Sequence, residues 1–150
     1  MKEKLLVSAC LLGENCKYSG GNNYCSDVEK LRKRFEIISV CPEQLGGLPT
    51  PRVPAERVGD MVLTREGQDV TEAFQRGAEK TLAIARAEGI AGAVFQVRSP
   101  SCGHGMIYDG TFSGRLIPGK GVTAELLEKN GVKICGSTQI RALLSKEGDA

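Results

Sequence analysis

The sequence predicts an α/β fold: a single three-layer domain with a mostly parallel sheet, Rossmann-like or flavodoxin-like in type. Short apolar or β-branched runs alternate with helical segments along the chain. This alternation is typical of a parallel sheet that helices cover on both faces. The length of 150 residues is that of one ordinary domain. We therefore expect residues 1–150 to form one domain.

The first half of the chain alternates strand, helix and strand. The predicted elements, in order, are a strand at 5–9, a helix at 26–34, a strand at 35–40 and a short strand at 61–64. The strands are apolar or rich in β-branched residues, and Ser26 or Asp27 can cap the helix. Residues 42–52 contain repeated Pro and Gly, so we expect them to be irregular.

The second half repeats this alternation. The predicted elements are a helix at 69–87, a strand at 91–97, a helix at 123–129, a strand at 132–134 and a final helix that Ser137 caps. Asp69 followed by Glu72 fits a capping box at the start of the long helix, and Gly89 fits its end. The Gly-rich segment 103–121 is predicted to be a loop.

Composition argues against several classes of function. The net charge of +2 argues against a dedicated nucleic-acid binder, and 5% aromatic residues without Trp are too few for a base-stacking platform. No run approaches the roughly 18 apolar residues of a membrane helix. The first apolar run ends at Ser8 and is unlike a signal peptide. We expect a cytoplasmic protein whose partners include neither a membrane nor a nucleic-acid polymer.

Six cysteines are the first chemical signal, at positions 10, 16, 25, 41, 102 and 135. In a reducing cytosol, cysteines are more often metal-binding or catalytic than disulfide-bonded. Cys10, Cys41 and Cys102 each follow a predicted strand. Because the carboxyl ends of parallel strands meet at one edge of a sheet, these three residues are expected to converge there. Cys135 also follows a strand, and we expect it at the periphery.

Three thiolates at one edge can hold zinc or an iron–sulfur cluster. The sequence has no CxxC pair, which disfavours a structural zinc site, because such sites use paired short spacings. Three protein ligands instead of four would leave one metal position open, as in catalytic sites. Cys16 has two interpretations: a fourth ligand, or a nearby thiol outside the ligand set.

Several motifs, taken in order, resemble a known family. They are VSACLLG (7–13), CKYSG (16–20), CPE (41–43), GGLPTPR (46–52), GQDVT (67–71), SPSCG (99–103), IYDGTFSG (107–114) and GKGVT (119–123). Together they resemble the small bacterial proteins long catalogued as a domain of unknown function, a family that includes thiouracil desulfidase. The resemblance spans nearly the whole chain. It departs from the family pattern at Lys17 and Ser19, where Arg and Asp are more frequent.

The resemblance implies a [4Fe-4S] cluster with three cysteine ligands, at Cys10, Cys41 and Cys102. The sulfur of a thiolated nucleobase would bind the fourth iron, and the C–S bond would break without net redox change. The resemblance also implies two catalytic groups. One is the carboxylate of Glu43 in the CPE motif, and the other is the hydroxyl of either Ser99 or Ser101.

Two other functions use the same cysteines. A non-enzymatic iron–sulfur or thiol protein, a redox sensor or sulfur carrier, would pair Cys16 with Cys135 in a reversible disulfide. A zinc-binding module is the third hypothesis. The desulfidase remains our first hypothesis, with a small thiolated base or thioamide as its partner and a homodimer left open. His104 is a candidate for proton transfer, and Arg52 for holding a carbonyl or an anion.

Overall fold

The computed structural model describes residues 2–90 and 92–148. Its strands are β1 (Glu3–Ser8), β2 (Phe35–Val40), β3 (Ala55–Val58), β4 (Met61–Thr64), β5 (Gly92–Phe95), β6 (His104–Tyr108), β7 (Leu116–Lys120) and β8 (Lys133–Gly136). Its helices are α1 (Val28–Arg34), α2 (Pro42–Leu45), α3 (Thr71–Glu88), α4 (Val122–Lys129) and α5 (Ile140–Gly148). Short 3-10 turns at Ala9–Leu12 and Ser137–Gln139 follow β1 and β8.

Four parallel strands form the central sheet, in the order β2-β1-β5-β8. Counted along the chain, this is the second, first, third and fourth strand of the sheet, which is the flavodoxin-like order. The predicted α/β class with a mostly parallel sheet is therefore confirmed.

Helices cover both faces of this sheet. On one face, Leu31 of α1 and Ile140 of α5 belong to the same core as Val7. On the other face, Leu82 of α3 packs in the core that contains Leu6. Successive side chains of a strand point to opposite faces, so neighbouring residues of β1 serve the two cores. None of the described helices has the length and apolar character that a membrane crossing requires.

Two antiparallel hairpins, β3–β4 and β6–β7, form two-stranded sheets separate from the central sheet. The prediction that 103–121 is a loop is wrong, because this segment contains two paired strands. β6 and β7 pair from His104↔Lys120 to Tyr108↔Leu116. These strands are short, half-exposed and contain Gly and Pro, so they lack a clear alternation. The prediction that 42–52 is irregular is also wrong in part, because its first four residues form the helix α2. Pro42 is tolerated as its first residue, since the N–H that Pro lacks has no partner there.

The long helix α3 has the predicted extent, but it begins differently. Gly89 ends it with φ 68°, as predicted. The predicted capping box is wrong, because Val70 precedes the helix and no side chain caps it. The Asp69 carboxylate instead accepts a hydrogen bond from the backbone N–H of Thr71 at 2.9 Å, within a local turn.

Backbone contact holds α2 against α3. A Cβ at Gly77 of α3 would lie 1.9 Å from the carbonyl oxygen of Pro42, so only glycine permits this approach. The Arg76 guanidinium also donates to the carbonyl oxygen of Gly46, with N···O distances of 3.0 and 3.1 Å. This packing fixes the segment that carries Glu43.

Candidate active site

The three predicted ligand cysteines line one cavity of about 460 Å³. Cys10 lies in the 3-10 turn after β1, Cys41 directly follows β2, and Cys102 lies in the loop after β5. These strands are neighbours in the sheet, so their carboxyl ends lie side by side. The chain reverses its direction of progress across the sheet between β1 and β5, and such a switch point is where open α/β sheets bind ligands.

Cys16 joins this group from the loop after the 3-10 turn. Its thiol makes hydrogen bonds with the thiols of Cys10 and Cys41, and these bonds lower the pKa of each to about 7 although burial opposes the shift. Asn23 adds to the effect at Cys10, with its amide nitrogen 3.5 Å from the sulfur. The same contacts raise the pKa of Cys16. The Cys41 thiol also lies 3.8 Å from the carbonyl oxygen of Cys16. The lowered pKa of Cys10 and Cys41 favours the thiolate form that metal binding requires.

Cys102 lies in a different environment. Burial raises the pKa of its thiol, partly offset by a hydrogen bond with Ser8. Among the side chains that the structure describes, those of residues 2–90 and 92–144, no three of His, Cys, Asp or Glu are close enough together to hold a single metal ion. The thiols instead border a shared space. Thiolate ligands spread around a cavity suit a group larger than one ion, and an iron–sulfur cluster is such a group.

Glu43 lines the cavity from the first turn of α2, and its carboxylate forms an ion pair with Arg52. The Arg52 guanidinium lies 3.2 Å from the Glu43 carboxylate and 3.0 Å from the carbonyl oxygen of Cys16. Its side chain is only 6% exposed, and its Nε is buried with no hydrogen-bond partner in the described part of the chain. Arg52 thus fixes the Glu43 carboxylate beside the cysteine loops. A carboxylate in this position can act as a general acid or base.

The structure gives the two candidate serines different surroundings. Ser99 lines the cavity, and its hydroxyl oxygen accepts hydrogen bonds from the backbone N–H groups of Ser101 (3.1 Å) and Cys102 (3.0 Å). Both bonds use Ser99 as an acceptor, which leaves its hydroxyl proton for a ligand in the cavity. Ser101 is 1% exposed, and its hydroxyl lies 2.8 Å from that of Thr123 at the start of α4.

Other candidate residues lie outside the cavity lining. His104 pairs through Nε2 with a carboxylate oxygen of Glu128 on α4, at 2.5 Å. The Cys135 thiol, on the edge strand β8, contacts the carbonyl oxygen of Gly136 at 3.5 Å. Cys16 lies instead with Cys10 and Cys41, at the ends of β1 and β2. The strand β8, which carries Cys135, is adjacent to neither β1 nor β2.

The two hairpins form a wall of the cavity that the sequence patterns do not predict. Glu56 of β3, Tyr108 of β6 and Phe112 of the following loop all line it, together with Arg65 after β4. A signal was present in the IYDGTFSG motif, which places two aromatic rings in a glycine-rich segment. Because residues 103–121 are predicted to be a loop, no pattern in the sequence directs these residues towards the cysteines.

Comparisons with known proteins agree on one family. A family model described as 2-thiouracil desulfurase matches residues 5–139. The uncharacterized protein YbbK of Bacillus subtilis (strain 168) is 40% identical over 150 residues, which cover 93% of this chain and 99% of YbbK. The solved structure of the [4Fe-4S]-dependent thiouracil desulfidase TudS (DUF523Vcz) is 42% identical, with a TM-score of 0.90, over 99% of this chain and 100% of that chain. The resemblance that the motifs indicate is confirmed: this chain belongs to the 2-thiouracil desulfurase family.

Proposed function

We propose that the protein is a [4Fe-4S]-dependent desulfidase that removes sulfur from a thiolated nucleobase such as thiouracil, with the whole chain acting as one iron–sulfur domain. The observation that carries this proposal is the convergence of Cys10, Cys41 and Cys102 on one cavity that Glu43 also lines. The family match and the similarity to a thiouracil desulfidase support it. A cytoplasmic setting suits it, because reducing conditions preserve the thiols.

Cys10, Cys41 and Cys102 would hold the cluster. With three protein ligands, such a cluster would supply Lewis-acid chemistry, which makes the carbon of a thiocarbonyl more electrophilic. The Cys16 thiol, whose contacts lower the pKa of Cys10 and Cys41, would support the ligand sulfurs from outside the ligand set.

Glu43 and Ser99 supply the remaining chemistry. The Glu43 carboxylate, oriented by Arg52, accepts a proton from a water molecule in the cavity while the water oxygen attacks the ring carbon. Glu43 then returns this proton to the departing sulfur as the C–S bond breaks. The thiocarbonyl and water thereby give a carbonyl and hydrogen sulfide, and no external oxidant or reductant is consumed. Of the two serines, we propose Ser99 as the hydroxyl that meets the substrate, because it lines the cavity and Ser101 is bonded to Thr123.

The test is anaerobic reconstitution followed by assay of sulfide and uracil released from 2-thiouracil. We expect Glu43→Gln to lower kcat by about a hundredfold or more, the effect of losing a general base. Glu36→Gln, an exposed glutamate on β2, is the matched control and should keep wild-type activity.

Two results would contradict the proposal at different levels. A wild-type protein with the cluster absorbance that releases no sulfide from thiouracil is not this desulfidase. If the Glu43→Gln variant is as fast as the wild type, Glu43 is not the general base of the reaction.

A further inference from the structure

Aromatic rings are concentrated at the cavity. The chain has four Phe and three Tyr residues, and three of these rings, those of Tyr18, Tyr108 and Phe112, line this one space. Phe112 lies in the loop 109–115 between β6 and β7, which we call the hairpin loop. The Arg65 guanidinium lies 5.5 Å from the centre of the Phe112 ring, in cation–π geometry.

The backbone at the cavity is strained at two points. Phe112 has φ 58° and Arg98 has φ 64°, and these are the two non-glycine residues with positive φ in the described ranges. Both line the cavity. A bulky residue in the left-handed region is a true outlier that persists only where its surroundings enforce it, and such outliers cluster at ligand sites.

Glu56 enforces the conformation of the hairpin loop. This carboxylate is 9% exposed, and one of its oxygens accepts hydrogen bonds from the backbone N–H groups of Gly110 (2.9 Å) and Phe112 (3.1 Å). A Cβ at Gly110 would lie 2.4 Å from a methyl carbon of Val58, so the loop sits directly on β3. The ring of Phe112 is thus held in place from the β3–β4 hairpin.

We propose that the hairpin loop is the specificity element of the proposed reaction, in which Phe112 stacks on the flat ring of the substrate and Glu56 positions it. The inference rests on the proposed function and names the residues that would select its planar heterocycle over an open-chain thioamide. Stacking on an aromatic ring increases the affinity for any planar π-system. An open-chain thioamide with the same C=S group does not gain this affinity. A cavity of about 460 Å³ lined by three rings suits such a heterocycle better than a small open chain.

The test uses the reconstituted protein and two readouts. The first is the equilibrium affinity for uracil, which contains the ring without the sulfur, measured by titration calorimetry. The second is kcat/KM for 2-thiouracil against kcat/KM for thioacetamide, an open-chain thioamide. We expect Phe112→Leu to weaken uracil binding by about fivefold or more, as expected for the loss of one base–aromatic stack, and Phe112→Tyr to restore it.

Three further variants separate recognition from folding. Phe112→Gly relieves the positive φ while it removes the ring, so it should weaken uracil binding without lowering the melting temperature. Glu56→Ala should weaken binding as Phe112→Leu does, and the double variant should be no worse than either one, because Glu56 acts through Phe112. Met106→Ala changes an exposed side chain of the same hairpin outside the cavity lining and should bind uracil normally.

The outcomes distinguish this inference from the proposed function. Uracil binding that depends on Phe112, in a protein that desulfurates nothing, would support the ring site and overturn the desulfidase. Unchanged uracil affinity in Phe112→Leu, no uracil binding by the wild type, or equal kcat/KM for thioacetamide and 2-thiouracil would each overturn the specificity element.

Discussion

Four cysteines lie around the cavity, and we propose three of them as cluster ligands and Cys16 as a supporting thiol. Cys10, Cys41 and Cys102 stand after three adjacent strands, whereas Cys16 lies in a loop and its contacts lower the pKa of Cys10 and Cys41. We therefore predict that serine at any one of the three ligand positions abolishes cluster assembly. The measurement is the iron–sulfur absorbance band and the iron content after anaerobic reconstitution. Cys25→Ser and Cys135→Ser are the matched controls and should reconstitute fully.

Cys16→Ser decides the number of ligands within the same experiment. A serine hydroxyl can replace the thiol as a hydrogen-bond donor, so we expect this variant to retain the absorbance band. Loss of the band, with the protein still folded by circular dichroism, would show a fourth protein ligand. The iron open to substrate sulfur would then not exist.

At the scale of elements, the contact between α2 and α3 sets the position of Glu43. Alanine is a better helix former than glycine by about 1 kcal/mol, so Gly77→Ala would stabilise a free helix. We predict the opposite here, because the new Cβ would lie 1.9 Å from the Pro42 carbonyl oxygen and would displace α2. Overpacking of this kind costs about 1–3 kcal/mol.

Thermal unfolding and kinetics of Gly77→Ala test this prediction together. Both the melting temperature and kcat on 2-thiouracil should fall, since α2 carries Glu43 to the cavity. Glu79→Ala, at an exposed position of the same helix, should lower neither. A Gly77→Ala variant with wild-type stability and rate would show that α2 is free to adjust.

At the scale of the whole molecule, an ion pair ties the β3–β4 hairpin to the layered core. Arg57 of β3 donates to the Glu125 carboxylate of α4 at 2.5 Å and to the carbonyl oxygen of Lys120 at 2.7 Å. The hydrogen bond from Arg57, followed by the charge of Arg57, holds the pKa of Glu125 below its ordinary value of 4.5. Because the folded pKa is the lower one, the pair stabilises the protein above about pH 4.5, and this contribution disappears as the pH falls through the folded pKa.

We predict that Glu125→Gln flattens the acid limb of the stability curve. The free energy of unfolding of the cluster-free protein, measured in urea, should fall less between about pH 5 and pH 3.5 in this variant than in the wild type. Glu72→Gln, exposed at the start of α3, should follow the wild-type curve. Parallel curves for Glu125→Gln and wild type would mean that the ion pair adds no net stability.

The central sheet could be predicted from the sequence because its strands are local signals. Residues 5–9 and 35–40 are apolar or β-branched enough to be recognised alone, and parallel pairing then directs Cys10 and Cys41 to one edge. The strands β6 and β7 could not be recognised, because Gly and Pro interrupt their alternation and two of the five residues of each strand are exposed.

The remaining parts of the site depend on tertiary contacts between distant segments. The hydrogen bonds of Cys16 depend on the path of the loop after the 3-10 turn, and the orientation of Glu43 depends on Arg52 beyond α2. No local pattern encodes either contact. The choice between Ser99 and Ser101 likewise needs α4, whose Thr123 pairs with one of them.

The spread of the three ligand cysteines along the chain has a consequence for maturation. During synthesis Cys10 and Cys41 leave the ribosome well before Cys102, and the third thiol joins them only when β5 has paired beside β1. A nascent chain that ends before β5 offers two thiols and no complete site. With the three ligands proposed above, iron would be delivered to a chain whose sheet is already assembled, and a cluster that binds only the folded chain would stabilise that state by mass action.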